Sequence, residues 1–197
     1  MTCRVVVGIS GASGACLGLR ILELLSEDGS VETHLVISRA GRQTLRQELG
    51  PQGPERAEAL ATIVHPVGAI GATIASGSFS TQGMIVAPCS IRTLSAISCC
   101  LSDNLLTRAA DVHLKERRPL VLQVRESPLN LGHLRAMTAA TEMGAIVTLP
   151  VPPFYHGPQT IEMMVDQMAR RALAPLNLTA VEPALAWPGV APIATRV

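Results

Sequence analysis

The side chains able to do chemistry in this 197-residue chain sit in short loops between apolar segments. Gly8-Ile-Ser-Gly-Ala-Ser-Gly14 joins an apolar run to a helical pattern. Glycines let backbone approach a ligand closely, and serine hydroxyls with helix amides can donate to a phosphate. A tight strand-to-helix turn has the same composition, so both readings stand. The spacing is not G-x-G-x-x-G, and the dinucleotide fingerprint is absent. Pro88-Cys-Ser-Ile-Arg92 repeats the device. Ser90 can cap a helix and touch a ligand, Cys89 reads as a small packed residue before a nucleophile, and Arg92 reads as a solvated charge.

A second group is cationic. Arg108, Lys115, Arg117, Arg118 and Arg125 fall close together, with Glu116 and Glu126 among them. One reading is a solvated helix end with local ion pairs. The other is an anion site: an Arg fork and a Lys point charge suit phosphate oxygens, and a Glu beside them can serve as an acid. Lys115 is the one lysine against fifteen arginines. Phe154-Tyr-His156 is the third group. Tyr155 offers a hydroxyl donor or a packing ring, and His156 a surface residue or a partner to another group.

Composition removes other chemistries. Net charge is +1 and aromatics are 2%, namely Phe79, Phe154, Tyr155 and Trp187, so neither bulk attraction to a polyanion nor a stacking platform for single strands is present. No nucleic-acid partner is expected. No Walker A glycine precedes Lys115, and the chain lacks H-E-x-x-H, G-x-S-x-G and any C-x-x-C pair. Five cysteines, an odd number, with no signal peptide fit a reducing cytoplasm. Residues 59–91 carry no Asp, Glu, Lys or Arg. Pro66, Pro88, glycines and serines interrupt them, so they read as buried or interfacial loop, helix and strand, not as a membrane span.

The elements that must hold these loops alternate. Strands are expected over 4–9, 32–37, 83–87, 119–124 and 145–149. Helices are expected over 15–26, 39–48 (capped by Ser38), from Ser90 through Ile97, and over 104–116, 131–143 and 160–173, with a chain break at 50–54. A Pro-rich loop spans 150–158, and a Pro-punctuated tail ends the chain on the surface or on a neighbouring subunit. This alternation predicts an α/β protein with a parallel sheet covered on both faces, as one domain over 1–178 with a tail over 179–197. Ligands of such sheets lie beyond the carboxyl ends of the strands, where all these loops fall.

Gly8-Ile-Ser-Gly-Ala-Ser-Gly14, Ala75-Ser-Gly-Ser78, Pro88-Cys-Ser90, Arg108-Ala-Ala-Asp111, Leu114-Lys-Glu-Arg-Arg-Pro-Leu120, Val124-Arg-Glu-Ser-Pro128 and Phe154-Tyr-His156 resemble the UbiX/Pad family of flavin prenyltransferases over residues 4–175. The Lys-Glu-Arg-Arg-Pro-Leu string followed by Arg-Glu and Phe-Tyr-His is the specific part. The resemblance implies a three-layer α/β/α sheet, flavodoxin-like or Rossmann-like, assembled as a dodecamer. It implies reduced FMN as prenyl acceptor, dimethylallyl phosphate as donor, prenyl transfer to flavin N5 and C6, and no metal. The prenylated FMN would serve a UbiD-type decarboxylase.

By position, the resemblance puts Gly11, Ala12, Ser13, Ser38, Cys89, Ser90, Ile91, Arg92 and Arg125 at the flavin. Arg108, Lys115, Arg125, Tyr155, Arg171 and Trp187 would take the donor phosphate or close over it. Ser13, Glu48, Glu126 and Lys115 would be catalytic, with Glu126 assisting phosphate departure and Glu48 near the isoprenyl pocket. Cationic groups would stabilise the charge that develops as the carbon–oxygen bond breaks, and an apolar cavity would shelter the allyl cation. Some members carry a Trp shortly before the Ala-Ser-Gly-Ser string, where this chain has Ile70. Two other readings are an FMN-dependent cysteine decarboxylase of the same superfamily and a flavin carrier or decarboxylase accessory subunit without activity.

Overall fold

In β1 (Cys3–Ile9), the run Val5-Val6-Val7 is inaccessible to solvent on both faces, as a strand in the middle of a covered parallel sheet must be. The computed structural model describes residues 2–27 and 29–189, and residues 190–197 of the expected tail lie outside these. After β1 come α1 (Ala15–Ser26), β2 (Val31–Ile37), α2 (Arg39–Leu49), α3 (Gly53–Ala59), β3 (Ile63–His65) and β4 (Gly83–Cys89). Next are α4 (Ile91–Ser98), α5 (Leu105–Lys115), β5 (Leu120–Val124), α6 (Leu131–Glu142), β6 (Ile146–Thr148) and α7 (Ile161–Leu173). All strand pairs are parallel, in the order β3-β2-β1-β4-β5-β6. This is a doubly wound sheet, and the order reverses direction between β1 and β4.

Alternation along the strands separates two cores. Val5, Val7, Ile9, Ile85 and Val121 pack with residues of α1, α2, α3 and α7. Val6, Val36, Met84, Val86 and Leu122 pack against α4, α5 and α6. Helix starts are set by side chains: Ser38, Ser90, Asn104, Asn130 and Thr160 each accept a backbone N–H in the first turn of the following helix. Two elements differ from the sequence expectation. The break over 50–54 runs straight into α3, because Pro54 sits in that helix's first turn, where its missing N–H is no loss. The charge-free 59–91 stretch holds β3 at the sheet edge and all of β4.

The rest of that stretch is a loop held by arginines. Arg108 Nε donates to Ala75 O at 3.3 Å, and Arg118 donates to Phe79 O at 2.7 Å and Gly77 O at 2.5 Å. Arg4 stacks over the Phe79 ring, 4.8 Å from its centroid. Among the described residues no helix is long and apolar enough to cross a membrane.

Candidate functional site

The crevice lies where the strand order reverses. Ser10, at the end of β1, donates its hydroxyl to Pro88 O at 2.9 Å and accepts Ser90 N at 2.7 Å. Ser10 N also donates to Pro88 O, at 3.2 Å. One buried hydroxyl thus locks the glycine loop to the Pro88-Cys-Ser90 turn. The sequence reading quoted Ser10 only as part of the loop and gave it no role.

Within the glycine loop, a Cβ on Gly11 would overlap Ala40 Cβ, so the close approach of this backbone to α2 requires glycine. Gly14 sits at φ 102°, a left-handed conformation that glycine adopts without strain. The first amides of α1 are already answered: Glu48 accepts Gly14 N at 2.9 Å and Ala15 N at 2.7 Å. A carboxylate on a helix N-terminus satisfies its unpaired donors and its positive dipole end. These two amides are therefore not left for a phosphate. Ser13 is exposed at the loop tip, while Gly11 and Ala12 are half-buried.

On the neighbouring loops, Ser38 Oγ accepts Gly41 N at 2.9 Å and keeps its own proton to give. Ser90 Oγ accepts Thr93 N at 3.3 Å, which starts α4 beside the glycine loop. Cys89, expected at the flavin, has a fully buried side chain, and burial pushes its thiol up to about 12. It packs in the core under α4, and its carbonyl accepts Arg125 N at 3.0 Å, so it can meet a ligand only through its neighbours. Arg92 is exposed and ion-paired with Asp103, whose carboxyl it holds below the usual range.

The cationic cluster of the sequence divides between the two edges of the sheet. Arg125 and Glu126 follow β5 at the carboxyl edge, and both are exposed. Lys115 ends α5 just before β5 begins, at the amino edge, where it pairs with Glu116 over Gly77. That pairing lowers the Glu116 carboxyl. Five residues of strand rise separate the two sites, roughly 16 Å. Arg118 is also at the amino edge, on the 77–81 loop, and Arg108 pairs with Asp111 at 2.6 Å higher on α5. One chain therefore does not bring Lys115 to Arg125.

Tyr155, Arg171 and Trp187 do come together. They line a cavity of about 580 Å³ between the ends of β5 and β6, α7 and residues 183–187. Tyr155 and Trp187 meet edge to face, with ring centroids 4.8 Å apart. Val151, Leu149, Met168 and Ala172 make most of the remaining wall apolar. Gln123 and Thr148 also line it, and the sequence reading passed over both. A larger cavity, about 630 Å³ between α1 and α7, is lined by His156 but by none of the residues assigned to the flavin or the donor phosphate, so the chemistry points to the smaller one.

Known proteins resemble this chain along most of its length. A family model described as Flavoprotein matches residues 1–171. The flavin prenyltransferase UbiX of Escherichia coli K12 is 53% identical over 187 residues, covering 94% of this chain and 98% of that protein. The crystal structure of AnUbiX (PadA1), in complex with FMN and dimethylallyl pyrophosphate, superposes with a TM-score of 0.88 at 43% identity, covering 95% of this chain and 100% of that one. A dodecameric FMN-dependent UbiX-like decarboxylase from Escherichia coli O157:H7 superposes with a TM-score of 0.90 at 43% identity, covering 94% of this chain and 100% of that one.

Proposed function

The chain belongs to the UbiX family of flavin prenyltransferases, and from that premise we propose that it transfers a dimethylallyl group from dimethylallyl phosphate to N5 and C6 of reduced FMN. The observation that carries the reading is the Ser10 bridge, which sets the glycine loop beside the start of α4 at the reversal point of the sheet. The residues fit a flavin nucleotide. Gly11, Ala12 and Ser13 give a slim loop against which a planar ring can lie. Ser38 and the backbone amides of Ile91 and Arg92 offer donors at the starts of α2 and α4, where an anion is favoured, while Cys89 and Ser90 shape the turn that carries them. Arg125 stands beside them at the end of β5.

FMN, when bound, supplies the nucleophilic nitrogen and carbon. Tyr155, Arg171 and Arg125 hold the donor phosphate, with Arg108 in support. Their charge and donors stabilise the anion that forms as the carbon–oxygen bond breaks. Glu126 delivers a proton to the departing phosphate, and Ser13 and Glu48 stand at the reacting edge. The apolar wall and Trp187 keep water from the allyl cation. Ile70 carries no ring, so a π surface for that cation would have to come from the flavin. Lys115 completes the phosphate site from another copy of the chain, since in its own chain it sits at the opposite edge.

A homo-oligomer, a dodecamer, follows from this need for a second copy and from the dodecameric relative. Residues 1–178 act as the flavin-binding domain, and residues 179–189 of the tail, with Trp187, close it. The product serves a UbiD-type decarboxylase in the cytoplasm. Mass spectrometry of the flavin after anaerobic incubation with reduced FMN and dimethylallyl phosphate tests the reading. The expected result is many prenylated flavins per subunit. Unmodified flavin favours the decarboxylase reading, and one equivalent without turnover favours the carrier.

A further inference from the structure

Gln123 on β5 and Thr148 on β6 are register partners, so their side chains stand side by side on the face of the sheet that α7 covers. Gln123 is only 1% exposed. Its amide has a defined orientation: Nε2 donates to Met168 O at 3.3 Å, and turning it over would set carbonyl oxygen against carbonyl oxygen. Its Oε1 is therefore an acceptor, and it has no partner. Thr148 Oγ1 has none either. Both residues line the cavity that also holds Arg171, one helical turn beyond Met168, and Tyr155. A buried acceptor left unanswered is unfavourable enough that two adjacent ones call for an explanation.

We propose that Gln123 and Thr148 form a phosphate-recognising floor of this cavity, which selects a phosphate whose oxygen carries a proton. The proposal rests on the prenyl-donor reading above. A bare phosphate oxygen is repelled by Gln123 Oε1, whereas a P–OH donates to it. The Thr148 hydroxyl, on the next strand, donates to a neighbouring oxygen. Arg171 and Tyr155 supply donors for the others. The two oxygens lie just beneath the cavity wall, and binding requires small side-chain rotations that open them to it. Arg171 on α7 is the one charged side chain lining the cavity among the described residues. Tyr155 is the other titratable group there, and Arg125 and Glu126 follow at the end of β5.

The retained proton matters for the chemistry. Singly protonated dimethylallyl phosphate, a monoanion, breaks its carbon–oxygen bond with both electrons leaving on the bridging oxygen. The products are the allyl cation and the hydrogen phosphate dianion, the proton staying on the oxygen that faces Gln123. The unprotonated ester would have to take that proton from Glu126 as it leaves, or expel the far more basic phosphate trianion.

The test is the affinity of the FMN-loaded protein for dimethylallyl phosphate and for inorganic phosphate, followed by phosphorus NMR from about pH 5.5 to about pH 8. Phosphate esters lose their second proton near pH 6. Wild-type affinity should fall through that range. Gln123→Met and Thr148→Val should each weaken binding about tenfold at the acidic end, the loss of one hydrogen bond to a charged group. Gln123→Met should also flatten the pH dependence while leaving FMN affinity and melting temperature at least as high as in wild type. If both variants keep the wild-type affinity and slope, the two oxygens merely hold water and the proposal fails. Failure of the prenyl-donor reading looks different: wild type then makes no prenylated flavin, whatever the variants do to phosphate binding.

Discussion

The carboxylate of Glu48, at the end of α2, accepts the amide of Ala15, the first residue of α1, at 2.7 Å. The same carboxylate accepts Gly14 N at 2.9 Å, so a charge supplied 33 residues later in the chain closes the start of the central helix. Glu48→Ala should lower stability by about 1–2 kcal/mol, through the lost charge-assisted bonds and dipole interaction. In a chain of this size that is a fall of roughly 3–6 °C in melting temperature. Glu48→Gln keeps one acceptor and should fall about half as far. Calorimetry checks both, and an unchanged Glu48→Ala melt would remove Glu48 from the helix start.

Ser10→Ala removes a buried hydroxyl and leaves Ser90 N without its acceptor. The expected loss is about 1–3 kcal/mol in urea unfolding. Flavin affinity, read by fluorescence quenching, should weaken too, because the two loops that flank the crevice are no longer tied together. A loss of stability with unchanged flavin affinity would place the cofactor elsewhere.

His113 is buried with Nδ1 donating to Ala109 O at 2.7 Å and Nε2 accepting from Thr81 Oγ1 at 2.8 Å, an arrangement that uses the neutral ring. Desolvation, with the nearby Arg118 charge adding to it, lowers its pKa from 6.5 to about 4. As pH falls, the unfolded chain therefore takes the proton first. The stability that neutral His113 contributes is complete above about 6.5 and is lost progressively as the pH drops toward 4. Between about pH 8 and about pH 5 the loss is about 2 kcal/mol. His113→Asn should remove that share of the acid slope in denaturant titrations. An identical slope in the variant would assign it to another group lowered by burial, His65, since Glu32 and Asp166 lose their shares only below about pH 5.

Lys115→Ala and Arg125→Ala should each abolish prenyl transfer with the fold intact. Unfolded together and refolded as a mixture, they should recover a measurable fraction of wild-type activity, because some sites then draw an intact Lys115 from one chain and an intact Arg125 from another. A mixture as inactive as its components would mean that the two residues act within a single chain.

Much of the layering was legible because β1, β4 and β5 are dominated by apolar residues, as a sheet covered on both faces requires. β3 was not, since three residues at a sheet edge carry no period to read. α3 was hidden by a Gly-Pro pair that reads as a breaker but sits where a helix tolerates proline. In the site, the loops after strands were found because topology places them together. Lys115 and Arg125 are near in sequence but a whole strand apart, which only the fold reveals. Gln123 and Thr148 were invisible for the opposite reason: 25 residues separate them, and only strand register makes them neighbours.

The arginine-held loop before β4 has one further consequence. Arg108 and Arg118 grip it through the carbonyls of Ala75, Gly77 and Phe79, groups every amino acid possesses. At Ala75 and Phe79 the grip is blind to which side chain the loop carries. Gly77 is the exception, where Lys115 and Glu116 fill the space a side chain would need. Exposed Ser76 and Ser78 are outside the grip, as is exposed Ile70 further upstream. Those positions can drift in identity without loosening the loop, which leaves them free to be tuned for whatever surface or ligand they come to face.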